Sequence, residues 1–363
     1  MTENILNNQP NTVFNAHLTH GIKYIGSKRK LLPYIGNFIQ PLKIKTALDV
    51  FAGTTRVAQY LRQNGIQTDT SDLSWATTAY AHTYVHNQDN THLQPYIDHM
   101  NSLQGSPGWI SENYSGGVPQ TDARGFGRCF QLKNTIKADA ARDYVETLSL
   151  AAWEKHTLIT AIIVALDGVD NTVGVQQAYL KEWCTRSYND IVFNLPAKIT
   201  GPTGIHYEGS CLDVPYREVD LAYLDPPYSP HAYSTYYHIW DSITRWDKPE
   251  TALKARRRID RVKANEEFND SMDSPWNNRK LALGAFEQVL KILPAKYLLI
   301  SYSNESIVDQ ADLVETCNKY GEVDVTEIDY ARNIMSQIGN AAKNDPLKKQ
   351  KNKELLILIT KLI

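Results

Sequence analysis

VDLAYLDPPY, at residues 219–228, joins an apolar run to a rigid polar turn. Residues 219–224 predict a buried β-strand, because short apolar runs of this length are typical of strands inside a parallel sheet. The two prolines lack N–H donors and have a fixed φ angle, so the turn that follows is stiff. It would present the Asp225 carboxylate and the Tyr228 ring together at the carboxyl end of the strand, where open α/β sheets bind their ligands. Such a turn suits a flat ring that carries an amino group, although an ordinary strand-ending turn is the alternative.

A second element lies far upstream. Residues 47–57, ALDVFAGTTRV, indicate a buried strand, a glycine turn and the start of a helix. We expect the strand at 45–51 and the helix at 55–64. Gly65 would end that helix, and a second strand would follow at 66–70. This is the βαβ opening of a doubly wound α/β sheet, and its turn is a candidate cofactor site. Further strands are expected at 205–208, 219–224, 297–302 and 355–360.

A long segment separates the second strand from residue 205, and structureless loops of that length are uncommon in compact domains. Residues 138–166 carry many apolar side chains without a proline and predict a helix, whereas residues 105–127 are rich in turn-forming residues. We therefore expect a catalytic domain interrupted by an inserted, mainly helical domain. The expected divisions are 1–84 for the first catalytic part, 85–200 for the insertion and 201–363 for the remainder.

Length and composition limit the class of protein. The 363 residues are enough for one large core and a second, smaller domain. No apolar run of about 18 residues occurs, and residues 1–20 lack the basic and apolar regions of a secretory signal, so we expect neither a membrane span nor secretion. The four cysteines form no C-x-x-C pair, which argues against a structural zinc site or a disulfide framework. A reducing, cytoplasmic compartment fits this pattern.

Basic side chains are concentrated in two places, although the formal net charge is −2. Residues 254–263 carry six basic side chains against one acid, and residues 343–353 carry five lysines. Such patches can neutralise phosphates. The alternative is a solvated surface, which we favour for the lysine cluster. Residues 246–276 as a whole are strongly charged with weak apolar periodicity, so we expect a surface segment there.

Three motifs taken together carry a family resemblance. They are KYIGSK at 23–28, DVFAGTTR at 49–56 and DPPY at 225–228. Their order and character are similar to those of S-adenosylmethionine-dependent DNA adenine methyltransferases of the Dam-type class. The resemblance implies a Rossmann-like, mixed seven-stranded methyltransferase sheet and covers most of the chain. Recognisable blocks lie at residues 21–80, 170–180, 205–240 and 296–303.

The resemblance implies that S-adenosylmethionine is the cofactor, and it assigns the cofactor loop. The family's loop usually reads D-x-F-x-G-x-G, in which Asp49, Phe51 and Gly53 match, while Thr55 stands where the last glycine would be. A glycine there allows close approach of the backbone to a ligand, so we expect Thr55 either to narrow the methionine end of the pocket or to donate its hydroxyl. The cofactor-binding residues that we expect are Tyr24, Gly26, Ser27, Lys28, Asp49, Phe51, Gly53, Thr54, Asp72 and Asp225.

Two of these assignments have alternatives. Asp72 follows the second strand at about the 20-residue spacing at which an acid meets a ribose hydroxyl in Rossmann-like sites. Asp69 is the competing candidate, and either acid could instead cap the following helix. Tyr24 and Lys28 match the family's N-terminal motif, in which the lysine lies near the reacting carboxylate and the aromatic residue borders the pocket. Without that match, the basic run at 28–30 would indicate solvated surface.

The reaction that the resemblance implies is methyl transfer to the N6 amino group of adenine, which is a poor nucleophile because its lone pair is delocalised into the ring. Asp225 would accept one N–H and the Pro226 carbonyl the other, which favours tetrahedral geometry at the nitrogen. A base inside a duplex must be flipped out to reach such a pocket. Tyr228 is the expected stacking partner, since base–aromatic stacking is worth about 1 to 3 kcal/mol, comparable with the unstacking cost. The tyrosines that follow either line the same cleft or only pack.

Target recognition in this class lies largely in a domain before the DPPY turn, which here is the insertion at 85–200. Polar side chains near residues 171–179 could read base edges, and arginines in the insertion and in the segment 246–276 could hold phosphates. The DNA contacts that we expect are Arg124, Arg128, Asn171, Thr172, Gln176, Tyr179, Arg256, Arg257 and Arg258.

The sequence therefore predicts a site-specific adenine methyltransferase that acts on double-stranded DNA by base flipping and needs no metal. We expect a monomeric enzyme in a bacterial, phage or archaeal cytoplasm. It is either a solitary methylase or the modification half of a restriction system, in which case a cognate restriction endonuclease is its partner. The alternatives are an RNA adenine methyltransferase and a methylase-like protein that binds DNA without turnover, for which Thr55 is the motivating departure.

Overall fold

The structure, a computed structural model, describes most of the 363-residue chain. The described residues are 18–87, 89–116, 129–176, 178–227, 233–251, 258, 274–304, 306–330 and 352–362.

Seven strands form a mixed sheet, and two short strands pair separately. The order in the large sheet is β5-β2-β1-β6-β7-β9-β8. The neighbours from β5 to β7 are parallel, while β9 is antiparallel to both β7 and β8. The strands are β1 (Thr46–Asp49), β2 (Gln67–Asp72), β3 (Ser115–Gly116), β4 (Phe130–Gln131), β5 (Thr203–Glu208), β6 (Val219–Leu224), β7 (Ala295–Ser303), β8 (Gly321–Tyr330) and β9 (Asn352–Lys361).

The predicted mixed seven-stranded α/β sheet is confirmed. The apolar run at 219–224 forms β6 with the bounds that the sequence predicts. Strand β8 was not predicted from the sequence, because its apolar side chains alternate with charged ones and form no continuous run. It pairs with β9 over ten residues at the edge of the sheet.

Helices cover both faces of the sheet. They are α1 (Leu32–Ile39), α2 (Arg56–Gln63), α3 (Trp75–Tyr80), α4 (Gln94–Ser102), α5 (Trp109–Tyr114), α6 (Leu132–Thr147), α7 (Ala152–Val169), α8 (Tyr233–Tyr236), α9 (His238–Arg245), α10 (Ala282–Ile292) and α11 (Gln310–Asn318). Shorter helical turns include Lys28–Lys30 and Pro275–Asn277, and a π-helical segment, Ala81–His86, follows α3.

One predicted helix proves to be two. Residues 138–166 were expected to be continuous, but α6 ends at Thr147 and α7 begins at Ala152. Leu148 and Ala151 have extended backbone, and the Glu154 carboxylate accepts a hydrogen bond from the Ala151 N–H at 2.8 Å. This local bond starts a new helix, and the apolar pattern could not reveal it because both helices carry apolar side chains.

Alternate residues of β6 face the two layers of helices. Ala222 and Leu224 belong to a core shared with α10 and α11, whereas Leu221 and Tyr223 belong to a core shared with α1 and α2. Both faces of the strand are therefore buried, which explains why its sequence is continuously apolar.

Helices between β2 and β5 pack against α9, which follows β6 in the chain. Residues of α5, α6 and α7 share a single hydrophobic core with α3 and α9. The helical character of the segment agrees with the sequence, while the boundaries 85 and 200 stay a prediction. Of the two basic clusters, only Arg258 and Lys353 lie among the described residues.

Candidate active site

Three carboxylates meet where neighbouring parallel strands end. Asp49 ends β1 and Asp72 ends β2, while Asp225 directly follows β6. Because β2, β1 and β6 are adjacent, these ends share one edge of the sheet. The order of the strands along the chain reverses between β1 and β6, which is the switch point at which open α/β sheets bind ligands.

A cleft of about 1460 Å³, including its open mouth, lies at this edge. Four carboxylates and two basic side chains line it: Asp49, Asp72, Asp225 and Asp241, with Lys28 and Arg56. Aromatic rings form much of the rest of its wall: Tyr24, Phe51, Tyr80, Tyr223, Tyr233, Tyr237, Trp240 and Trp276. With every carboxylate ionised, the lining carries a net charge of −2 (four negative and two positive side chains).

Asp225 is held in a buried ion cluster. The Nζ atom of Lys28 lies 2.9 Å from Oδ1 of Asp225 and 3.0 Å from Oε1 of Glu354. Lys28 is only 6 % exposed. The Ser301 hydroxyl donates to Oε1 of Glu354 at 2.6 Å. Lys28 thus joins the N-terminal segment to the ends of β6 and β9.

Burial raises the pKa of Asp225 to about 6. The ammonium of Lys28 opposes this shift, and the negative charge of Glu354 adds to it. The carboxylate at this position therefore titrates closer to neutrality than an aspartate in water, whose pKa is about 3.9.

Asp49 is fully buried below the cleft and keeps one oxygen free. Its Oδ2 accepts a hydrogen bond from the Ala58 N–H at 3.2 Å, at the start of α2. Its Oδ1 has no hydrogen-bond partner among the residues that the structure describes. Burial, followed by the charge of Asp225, raises the pKa of Asp49 well above its usual range. A cationic ligand in the cleft would relieve both effects.

The geometry separates the two candidate ribose acids. Asp72 lines the cleft, and its oxygens accept from the Gly53 and Ser74 N–H groups, each at 2.8 Å. Asp69 is 1 % exposed and forms a two-point ion pair with Arg217, at 2.6 and 2.7 Å. Asp69 therefore ties β2 to the segment before β6, and only Asp72 is placed where a ligand could reach it.

The N-terminal motif forms one wall of the cleft. Tyr24, Gly26, Ser27 and Lys28 all line it. The ring of Tyr24 stacks on that of Tyr237 with centroids 4.3 Å apart, and the Tyr237 hydroxyl accepts from the Ile25 N–H at 2.8 Å. Tyr233 also lines the cleft, whereas Tyr236 does not. The sequence left open whether these tyrosines line the cleft or only pack, and both outcomes occur.

The glycine turn brings the backbone close to this wall. Gly53 has φ +48°, and a Cβ atom on it would lie 3.4 Å from Oη of Tyr24. Phe51, Gly53 and Thr54 all line the cleft.

The expectation for Thr55 is wrong. This residue is fully buried and does not line the cleft, so it neither narrows the pocket nor offers its hydroxyl to a ligand. Its hydroxyl accepts from the Gln59 side-chain amide at 3.0 Å. Its backbone is left-handed, with φ 58°, a conformation that glycine adopts freely and that is uncommon for a β-branched residue. The family's glycine matches this backbone conformation.

The DPPY turn lies only partly within the described residues. Asp225 and Pro227 line the cleft. Pro226 is buried and is not among the lining residues, so the role of its carbonyl stays a prediction. Tyr228 lies outside the described residues.

Two residues that line the cleft, and a third that contacts Lys28, were not predicted from the sequence. Trp276 is 4 % exposed and meets the Phe51 ring edge-on, with centroids 5.0 Å apart. Asp241 accepts from the Ser74 hydroxyl at 2.7 Å and so fixes α9 against the start of α3. Glu354 lies 126 positions after the nearest motif residue, Tyr228 (354 − 228), and carries no local signal. These contacts join segments that are far apart in the sequence, so they could not be predicted without the fold.

Three of the expected base-reading residues are internal. Asn171, Thr172 and Gln176 are each at most 2 % exposed. The Asn171 side chain donates to the Leu180 carbonyl and accepts from the Cys184 N–H. The Thr172 hydroxyl donates to Asp170. Their polar groups are thus occupied within the protein, and this arrangement contradicts a role in reading base edges.

The Gln176 amide is equally engaged. It bridges the Tyr236 carbonyl and the Trp240 indole N–H, at 2.8 Å each. Tyr179 is half-buried and pairs with Thr172 in an isolated β-bridge. This loop therefore anchors α8 and α9, two elements of the cleft, to the insertion.

Arg258 also departs from the expectation that it holds phosphate. It is 3 % exposed and forms a two-point ion pair with Asp247, at 2.7 and 2.8 Å, beside the ring of Trp75. A buried, fully paired guanidinium cannot reach a phosphate without breaking this pair. The remaining expected phosphate contacts, Arg124, Arg128, Arg256 and Arg257, lie outside the described residues.

Over the part of the chain that the structure describes, His, Cys, Asp and Glu side chains nowhere form a group of three able to hold a metal ion. In the same part, no helix has both the length and the apolar character needed to cross a bilayer.

The sheet has a Rossmann-like topology with a cleft at its switch point, and comparison with known families gives the class of protein. A family model described as D12 class N6 adenine-specific DNA methyltransferase matches residues 24–316, and the chain belongs to this family. The family implies a methyl donor and a DNA substrate.

Curated relatives carry consistent names. Modification methylase LlaI of Lactococcus lactis subsp. lactis is 25% identical over 351 residues, covering 89% of this chain and 53% of that protein. Modification methylase StsI of Streptococcus sanguinis is 25% identical over 347 residues, covering 89% and 50%. Type II methyltransferase M.CviAII of Paramecium bursaria Chlorella virus 1 is 25% identical over 334 residues, covering 88% and 95%. The chain thus spans about half the length of the first two relatives.

Proposed function

We propose that this chain transfers a methyl group from S-adenosylmethionine to the N6 amino group of adenine in a specific double-stranded DNA sequence. The observation that carries the proposal is the Asp225 carboxylate. It emerges from β6 into an aromatic, acidic cleft and is paired with Lys28, in a chain of the N6 adenine-specific family.

The charge of the cleft suits the cofactor. S-adenosylmethionine carries a sulfonium, an ammonium and a carboxylate, so its net charge is +1, opposite to that of the lining. Oδ1 of Asp49 is a buried acceptor without a hydrogen-bond partner among the described residues, and it would hold the ammonium. The guanidinium of Arg56, which also lines the cleft, would meet the carboxylate.

The remaining cofactor contacts follow from the strand ends. Asp72 accepts one backbone N–H on each oxygen and keeps lone pairs for ribose hydroxyls. Phe51 and Trp276, whose rings meet edge-on, would flank the cofactor's adenine ring. Gly53 allows the ligand to approach the backbone because it has no side chain.

Methyl transfer needs a nucleophile that this chain must create. S-adenosylmethionine, when bound, supplies a methyl group attached to a sulfonium sulfur. Asp225 accepts an N–H of the adenine amino group, which localises the nitrogen lone pair and stabilises the positive charge that develops there. The Pro226 carbonyl accepts the second N–H. Asp225 then takes the proton that the nitrogen loses.

The target adenine must leave the duplex to reach Asp225. Flipping costs a few kcal/mol, and stacking on an aromatic side chain returns about 1 to 3 kcal/mol. Tyr228 is the proposed stacking partner. Tyr24, which is itself stacked on Tyr237, offers a second aromatic surface in the same cleft.

Recognition of the target sequence is assigned to the insertion at 85–200, and phosphate binding to Arg124, Arg128, Arg256 and Arg257. We further propose a monomer in the cytoplasm of a bacterial, phage or archaeal cell. A cognate restriction endonuclease is the proposed partner, because the relatives are named as modification methylases.

The test is transfer of a tritiated methyl group from S-adenosylmethionine to DNA and, in parallel, to RNA of matched sequence. Enzymatic digestion followed by separation of the nucleosides identifies the methylated base. Label in N6-methyladenine from DNA is the expected result. Label only in RNA, or in N4-methylcytosine, contradicts the proposal, and so does the absence of label when calorimetry shows that the cofactor is bound.

A further inference from the structure

We propose that Glu354 is a positioning residue for methyl transfer, which holds the Lys28 ammonium between two carboxylates and so keeps Asp225 available to the base. This role rests on the proposed function, and neither the family match nor the three sequence motifs include Glu354: the match ends at residue 316.

Glu354 is a buried carboxylate whose polar partners come from outside its own strand. It is 6 % exposed near the start of β9, opposite Ser303 of β7. Its Oε1 receives the Ser301 hydroxyl at 2.6 Å and lies 3.0 Å from Nζ of Lys28. A buried carboxylate is costly unless it is paired and hydrogen-bonded, and both partners are present here. The position of the carboxylate is thus fixed by two neighbouring strands.

Lys28 needs such a restraint. Its ammonium is a point charge on a flexible stem of four carbons, and it sits on a short helical turn rather than on the sheet. Contacts of 2.9 Å to Asp225 and 3.0 Å to Glu354 hold the ammonium in place. The Glu354 contact therefore defines where the positive charge lies relative to the reacting carboxylate.

The charge count explains why two carboxylates are useful. A lone Lys28–Asp225 pair would be neutral, and its ammonium would weaken the carboxylate as an acceptor for an N–H of the base. With Glu354 sharing the ammonium, the three groups carry a net charge of −1. Asp225 then retains acceptor strength for the amino group and for the proton that it releases.

The chain offers a matched control. Glu327 on β8 forms an ion pair at 2.6 Å with Lys353, the residue that precedes Glu354 in the chain. Unlike Glu354, both of these side chains are about half exposed. Glu327→Gln removes a paired carboxylate from the same edge of the sheet without touching the buried cluster. Glu354→Gln keeps the side-chain shape and an acceptor for Ser301 while removing the charge.

The experiment compares the full-length wild type, Glu354→Gln and Glu327→Gln in methyl transfer to DNA. We expect Glu354→Gln to lower kcat about tenfold or more and to leave the KM for S-adenosylmethionine within about twofold, since the charge acts after binding. The acid limb of its kcat profile should move to lower pH, because Glu354 raises the pKa of Asp225. Glu327→Gln should match the wild type.

A titration of Asp225 by ¹³C NMR gives a readout that needs no turnover. Aspartate is labelled, and Asp225→Asn assigns the signal. The other titratable groups that face Asp225 are Asp49, Tyr24 and Tyr223, and Glu354→Gln changes none of them. A lower pKa of Asp225 in Glu354→Gln is expected.

The outcomes distinguish the two proposals. Unchanged kcat and an unchanged acid limb in Glu354→Gln overturn the role of Glu354. A loss of kcat also overturns it if cofactor affinity falls equally and the acid limb of the kcat profile does not move. If Glu354→Gln does not fold, Ser301→Ala takes its place, and a fall in kcat in the same direction is expected, with no change overturning the role. If the wild type transfers no label to DNA, the proposed function fails, and the titration alone then decides the role of Glu354.

Discussion

The backbone N–H of Gly53 donates a hydrogen bond to Oδ2 of Asp72 at 2.8 Å. This bond joins the glycine turn after β1 to the acid that ends β2, two parts of the sequence that the motifs treat separately. It fixes the Asp72 carboxylate at the floor of the cleft, where the second oxygen receives the Ser74 N–H.

Asp72→Ala should weaken binding of S-adenosylmethionine. The substitution removes hydrogen bonds to a charged acceptor, which are worth about 1.5 to 3 kcal/mol, or about 10- to 150-fold in Kd. Isothermal titration calorimetry measures the change, with Asp324→Ala on the exposed edge strand β8 as the control. Equal affinities in the two variants would rule out Asp72 as a cofactor residue.

Gly53→Ala and Gly65→Ala separate backbone strain from contact with the ligand. Both glycines have positive φ, +48° and +82°, so each alanine should lower the free energy of unfolding by about 1 to 2 kcal/mol. A Cβ on Gly53 would face Tyr24 in the cleft, whereas one on Gly65 meets nothing within 4 Å. Only Gly53→Ala should also weaken cofactor binding, as measured by calorimetry beside denaturant unfolding. Similar cofactor affinities in both variants would contradict the placement of the ligand at Gly53.

Thr55→Gly should leave cofactor affinity within about twofold of the wild type, a difference of about 0.4 kcal/mol. Thr55 lies outside the cleft, and its hydroxyl serves Gln59. In the folded protein, glycine relieves the left-handed backbone strain of about 1 to 2 kcal/mol but removes the hydrogen bond to Gln59. In the unfolded chain, glycine adds conformational freedom, which opposes folding. A several-fold gain in affinity would show that threonine restricts the pocket after all.

The rate at saturating cofactor and DNA should fall as the pH drops through about 6, where Asp225 takes up a proton. The ionised carboxylate is the stronger acceptor and the form that can take up the proton released by the amino group, so kcat should decrease about tenfold per pH unit below that value. Burial also raises the pKa of Asp72 to about 6, but Asp72 is assigned to cofactor binding. Saturating concentrations of cofactor therefore remove its contribution to the pH dependence of kcat. A plateau in kcat down to pH about 4 would contradict the buried, raised state of Asp225.

The raised pKa of Asp225 also makes the folded protein less stable as the pH rises. The folded protein binds the Asp225 proton more tightly than the unfolded chain does, so ionising this group costs free energy of folding. That cost develops as the pH rises from about 4, the unfolded value, to about 6.

Much of the site could be predicted because strand ends are visible in sequence. Asp49, Asp72 and Asp225 each close a run that forms a buried strand, and parallel neighbours bring such ends to one edge. The motif at 23–28 needed the family resemblance, since its basic residues alone indicate a solvated surface.

The errors among the expected DNA contacts share one physical cause, which is that a polar side chain can be buried when distant segments supply its partners. Asn171 and Arg258 look like surface residues, but Leu180, Cys184 and Asp247 satisfy their hydrogen bonds in the interior. Glu354 was not predicted because its partner Lys28 is 326 positions away in the sequence (354 − 28).

The most direct measurement is single-turnover methyl transfer to DNA by Asp225→Asn, followed by rapid quenching and compared with the wild type and the surface control Asp324→Asn. Asparagine keeps the size of the side chain but removes its charge, so we expect a loss of about 10²- to 10³-fold in rate, as found when one preorganised polar group is removed from other enzymes. Cofactor affinity by calorimetry should change little, and Asp324→Asn should behave as the wild type. Transfer by Asp225→Asn at the wild-type rate would contradict the assignment of this carboxylate as the acceptor for the adenine amino group.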